Sequence, residues 1–162
     1  MDDSSDYYKN SGSKAISSAN LKKADQIRRK TIRSIDSILK SSNVSRFREF
    51  ELLLRKGEIL IERHDYLRDL EIQAFTNGYD AWEKAGAKGD SPVANYSRSK
   101  AELQKALAEY RKLVRKFRKE KRADKAIYAL ATTLARIGDD SCLLYFKQLF
   151  KDHPKSKLIP DA

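Results

Sequence analysis

AIYALATTLARIGDDSCLLYFKQLFKDHPKSKLIPDA, residues 126–162, holds two helical patterns separated by a glycine turn. In the first, Ile127, Leu130, Ala131 and Leu134 recur at three- and four-residue steps, which puts them on one face of a helix. That helix is expected over Ala123 to Ile137, and Gly138 suits the left-handed backbone on which helices commonly end. Asp139 or Asp140 can cap the second helix by accepting backbone N–H groups from its first turn. It runs to about Asp152, where His153-Pro154 stops it, because proline has no N–H to donate and a fixed φ. Ser156 can cap a further helix, begun by Pro160-Asp161-Ala162.

Upstream, Ser97 or Ser99 can open a helix whose Leu103, Ala106, Leu107, Tyr110, Leu113, Val114 and Phe117 form a single apolar stripe, and Lys119 to Arg122 turns the chain back. Gly86-Ala87-Lys88-Gly89-Asp90-Ser91-Pro92 is the one clear loop. Before it, apolar residues from Phe47 to Trp82 continue without a proline to about Lys84. One helix of about forty residues is expected there, bent or broken at Asn77-Gly78, with Ser45 or Asn43 as its cap. From Ser18 to about Lys40, Leu21, Ala24, Ile27, Ile32, Ile35, Ile38 and Leu39 mark a first amphipathic helix. Residues 1–13 are polar without period and are expected to stay disordered.

Composition agrees with these elements. Six Gly and three Pro beside 35% charged residues favour long helices with solvated faces, and 40% apolar content in 162 residues suffices for one core. The fold class is all-α, with residues 14–162 as a single domain. Cys142 is the only cysteine, so no intramolecular disulfide exists. No apolar run approaches the roughly 20 residues a bilayer requires, and the acidic start Met1-Asp2-Asp3-Ser4-Ser5-Asp6 is unlike an export signal. A mature exported chain restarted with Met would look the same, which leaves the compartment open. The net charge of +11, from 34 Lys and Arg against 23 Asp and Glu, draws acidic partners.

The closing stretch resembles a tetratricopeptide repeat (TPR), a pair of antiparallel helices with bulky and small residues at set places. Ile127, Leu130, Ala131 and Leu134 fit its first helix, Gly138 its turn, and Cys142, Phe146 and Pro154 its second helix and end, while Leu149 stands where Ala is usual and the link is one residue short. An earlier copy can be read in Leu53, Gly57 and Leu60 with Ala106, Tyr110 and Leu113. The resemblance implies a short TPR-like α-solenoid of stacked antiparallel helix pairs, with one irregular pair over 43–119, a clear repeat over 122–154 and a further helix begun at 156–162. The layout of YDAWEKAG (79–86), a Gly/Pro loop, a basic helix and ADKAIYALA (123–131) is similar to envelope-associated TPR proteins of gliding and predatory bacteria. That likeness implies a scaffold of a cell-envelope or gliding-motility assembly, periplasmic or outer-membrane-associated if exported and otherwise cytoplasmic, and a fragment of a longer chain.

In TPR proteins the first helix of each pair lines a concave groove that holds a partner. The matching outward positions are Lys125, Tyr128, Thr132 and Arg136, which suit an acidic or extended peptide: two cations, a ring and a hydroxyl. A rival surface lies at Arg111 to Lys125, where nine of fifteen residues are basic: Arg111, Lys112, Arg115, Lys116, Arg118, Lys119, Lys121, Arg122 and Lys125. Most of these share the face opposite the apolar stripe. They form a basic ridge, either a solvated helix face or a site for nucleic acid, anionic lipid or acidic protein.

No constellation points to an enzyme, a cofactor or a metal. His64 and His153 lack a further ligand at suitable spacing, and are expected to be a polar helix-face residue and an exposed end residue. Cys142 has a nucleophile's chemistry, but its place in the repeat calls for a small packed residue. Asp139-Asp140 is better explained by helix capping than by acid–base work. Gly86 to Gly89 lacks the Lys-Ser or Lys-Thr of a phosphate loop. Tyr79 and Trp82 are expected to pack in the core rather than form a contact surface.

Overall fold

The computed structural model describes residues 18–41 and 43–159; the expected tail at 1–13 and the closing residues 160–162 lie outside them. The described residues form an all-helical fold: α1 (Ser18–Leu39), α2 (Arg46–Lys84), α3 (Ser97–Lys116), α4 (Ala123–Arg136) and α5 (Cys142–Asp152). Each helix packs chiefly on its neighbours in the chain.

Helix α2 is the axis. Ser45 starts it from an extended backbone, its hydroxyl accepting the Arg48 N–H at 3.2 Å. Thirty-nine residues then run unbroken, about 58 Å at 1.5 Å per residue. The break expected at Asn77-Gly78 does not occur. Glycine costs a helix only about 1 kcal/mol. Across it, Phe75, Tyr79 and Trp82 stack at ring distances of 6.1 and 5.5 Å, the three- and four-residue contacts that support a helix surface. Tyr79 is 38% exposed, so this stack is not the core packing the sequence suggested; it lies on the part of α2 beyond its last buried residue, Glu71.

Helix α3 lies antiparallel on α2. Glu49 meets Lys116, Gly57 meets Tyr110, Arg63 meets Glu102, and Glu71 meets the start of α3. The carboxylate of Glu71 accepts the N–H groups of Arg98 and Ser99, so the α3 terminus is capped from across the hairpin and not by Ser97 or Ser99. Between the two helices, Phe50, Leu53, Leu54, Leu103, Leu107, Tyr110, Leu113 and Phe117 make one core, with the Phe50 and Phe117 rings edge to face at 5.3 Å. Ala126, Leu130 and Leu134 of α4 close this core. Gly138, with φ +72°, then reverses the chain, and Leu149 of α5 returns against Ala123 and Ile127. The chain turns at 156–158 and enters a 3-10 turn at Ile159, which packs back against Ala123, Ile127 and Leu149.

Helix α1 departs from the periodic reading. Leu21, Ile27 and Ile38 are exposed, while Ile35 packs against Leu52 and Ile59 and the most buried residue beside it is Asp25, 2% exposed. The inward face is partly ionic. His64 is likewise buried, not on an open face, with Nδ1 2.9 Å from the Ser99 carbonyl.

Gly57 is where α2 and α3 come closest: a Cβ built there would lie 2.3 Å from Cε1 of the buried Tyr110 ring. Gly57→Ala forces that ring out of place and should lower stability by about 1–3 kcal/mol, as overpacking typically does. Urea denaturation of parent and variant measures the difference; equal midpoints would show that the helices are not held at this spacing.

Candidate functional site

Tyr128, Thr132 and Arg136 stand four residues apart and therefore share one face of α4. Opposite them, α2 presents Arg55, Glu58, Ile61 and Glu62 at steps of three and four. The two faces enclose a groove of about 490 Å³, with Tyr110 of α3 among its lining residues. Three of the four positions expected to bind a partner are thus brought together. Lys125 is not; it lies at the N-terminal end of the seam, in a separate hollow with Phe47, Glu51 and Glu120.

The groove is a mixed-charge surface rather than the cationic one expected. Arg136 is paired with Asp65. Arg55 Nη1 lies 2.9 Å from Glu58 and 3.2 Å from Glu62, and Glu62 also receives Arg28 Nε of α1 at 2.9 Å. These bonds shift the pKa values of the groups that make them. The Glu58 hydrogen bond is the main cause raising Arg55 above its ordinary range. The bond from Arg28 is the main cause lowering Glu62. Burial pushes the Tyr110 phenol upward, so its ring presents a neutral base to the groove. Thr132 Oγ1 donates to the Tyr128 carbonyl at 2.8 Å and keeps its capacity to accept a hydrogen bond.

Glu58, Glu62 and Asp65 were missed by reading α4 alone. Their signal is the polar run 55, 58, 62, 65, 69 on α2, which repeats with helical period beside the apolar stripe. The stripe continues past the groove into a hollow of about 560 Å³ between α1 and α2, lined by Leu21, Tyr66, Asp69, Leu70 and Ile72 and joined to the groove by the Arg28–Glu62 pair.

The basic ridge lies on the outer face of α3 and the turn after it. Lys112, Arg115, Arg118, Lys119 and Lys121 are exposed and make no ion pair among the described residues. Arg111 lies near enough to Asp139 to help lower its pKa, behind the larger effect of the Ser141 hydrogen bonds. Two expected members are drawn inward. Lys116 pairs with Glu49, and Arg122 stacks over the Phe47 ring at 3.8 Å with Glu51 3.6 Å away. Phe47 remains 59% exposed with this cation over one face of its ring.

His153, expected as an exposed end residue, is partly buried. Asp139 Oδ1 accepts the Ser141 N–H and hydroxyl at 2.9 and 2.6 Å, a turn motif at the head of α5. Cys142 is partly buried against the main core. No group of three or more His, Cys, Asp or Glu among the described residues is placed to hold a metal ion, and no helix there is long and apolar enough to cross a membrane.

Glu62 gives the groove a pH signature. Its pKa falls below the ordinary 4.5 on folding, so its stabilising effect is complete above that value and fades as the pH drops through the lowered one. Glu62→Gln should therefore be less stable than the parent at pH 7, and the difference should shrink as the pH falls below 4.5, as followed by thermal unfolding. A difference independent of pH would show that the Arg28 and Arg55 bonds do not act through charge.

Similarity searches against protein-family models, curated proteins and solved structures returned no match.

Proposed function

We propose that the chain is a non-catalytic protein–protein interaction scaffold of the tetratricopeptide kind, in which α2–α3 and α4–α5 serve as stacked helix pairs. A segment of a partner protein lies in the groove between α2 and α4. The observation that carries this reading is the convergence of Tyr128, Thr132 and Arg136 with Arg55, Glu58, Ile61 and Glu62 on the walls of one groove. These walls belong to the first helix of each pair. Two packing features support the same reading. Ile127, Leu130, Ala131 and Leu134, which carry the sequence resemblance, are each at most 1% exposed. In the earlier pair, Gly57 receives the Tyr110 ring, a small residue against an aromatic, which lets two helices approach closely.

Both signs of charge on the walls, with Ile61 and Tyr128 between them, favour an extended segment held by polar contacts and anchored by one apolar side chain. The Arg136–Asp65 pair bounds the groove, and a partner carboxylate can compete for that arginine. Membership in a bacterial envelope or motility assembly is the wider setting we propose, on the sequence resemblance alone.

Tyr128→Ala with Arg136→Ala removes a half-buried ring at the edge of the Ala123, Ile127 and Leu149 cluster and an exposed cation. Partner capture, read by co-purification with the partner identified through a photoreactive residue at position 132, should fall at least tenfold while circular dichroism stays unchanged. Lys125→Ala should leave capture intact. Undiminished capture by the double variant would place the partner elsewhere.

A further inference from the structure

The segment from Ser97 to Arg122 carries three carboxylates, and the fold turns all three inward. Each meets a cation of α2: Glu102 meets Arg63 at 2.7 Å, Glu109 meets Lys56 at 2.6 Å and Glu120 meets Arg46 at 2.6 Å, Glu102 pairing also with Lys105 of α3. Nothing acidic in this segment is left to balance its outer face. There Lys112, Arg115, Arg118, Lys119 and Lys121 stand exposed without ion pairs among the described residues. From Lys112 to Lys119 the cations span about 10 Å of helix and turn, at 1.5 Å per residue. We propose that this ridge binds the phosphodiester backbone of nucleic acid, without reading its sequence.

Two observations select this partner over a membrane surface. A helix that lies on a bilayer needs an apolar face free to sink into it. The apolar face of α3 is spent in the core, where Leu103, Leu107, Tyr110 and Leu113 are at most 8% exposed, and the ridge positions themselves are all charged. The cations are also close together in the chain, on the last turns of α3 and the turn after it, and include two arginines able to fork onto phosphate oxygens. All five ridge positions are Lys or Arg, so contacts to phosphate should dominate the affinity.

The test uses the whole chain and a fluorescent 30-base-pair duplex of mixed sequence, with the corresponding single strand as a second source of the same chemistry. Binding at 50 mM salt is expected, falling with log salt at a slope of about −4 to −5, since each duplex phosphate contact contributes about −0.9. The quadruple variant Lys112→Gln, Arg115→Gln, Arg118→Gln, Lys119→Gln should bind at least thirtyfold more weakly, with a slope near −1. A control with the same loss of charge on α1, Lys22→Gln, Lys23→Gln, Lys30→Gln, Arg33→Gln, should stay within about threefold of the parent. Circular dichroism checks that both variants keep their helices. Absence of binding to either nucleic acid at 50 mM salt overturns the proposal, as does equal weakening in the two variants. Ridge-dependent binding to vesicles of anionic phospholipid without binding to nucleic acid would overturn it too.

Discussion

Arg63 holds the molecule's register. From α2 its guanidinium reaches Asp25 of α1 at 2.9 Å and Glu102 of α3 at 2.7 Å, and the three side chains are 12%, 4% and 8% exposed. Two turns earlier, Lys56 repeats the arrangement with Asp36 of α1 and Glu109 of α3, at 2.7 and 2.6 Å. Burial alone would lower the Lys56 pKa; its bonds to the two carboxylates outweigh that and raise it, so the clamp stays charged. Ion pairs removed from water are costly to form, and such pairs contribute less to net stability than their attraction suggests. They are severe in another respect: a slip of α1 or α3 by one turn would strand buried charges without partners.

That constraint also distributes the surface charge. Because Arg46, Lys56 and Arg63 draw in the carboxylates of α3 and its turn, the outer face there is left cationic. Other carboxylates of α2, Glu58, Glu62 and Asp65, lie around the groove toward α4, Glu62 also pairing with Arg28 of α1.

The sequence made the helices legible because their apolar residues recur with helical period and because Gly138 and the 86–92 loop mark clear reversals. It also made three of the groove residues legible, since Tyr128, Thr132 and Arg136 lie on the face of α4 opposite its buried stripe. What it hid depends on residues far apart in the chain. Asp25 is buried because Arg63 lies 38 positions away, so α1 turns its charged side inward and leaves Leu21 and Ile27 exposed. The cap of α3 comes from Glu71, and His64 is covered by the same end of α3. Lys125 misses the groove although it shares the helical phase, because at the start of α4 the opposing wall is Phe47 and Glu51. The mixed charge of the groove was invisible in α4, whose outward cation Arg136 meets its counterion Asp65 on α2.

Native-state hydrogen exchange on Arg63→Gln tests most directly whether this clamp ties the first three helices together. With the cation gone, Asp25 and Glu102 remain buried without their shared partner, and that cost falls on α1 and the first half of α3 at once. Amide protection should drop together in α1 around Asp25 and in α3 around Glu102, while α4 around Leu130 keeps most of its own. Loss of protection confined to α1, with α3 unchanged, would contradict the account.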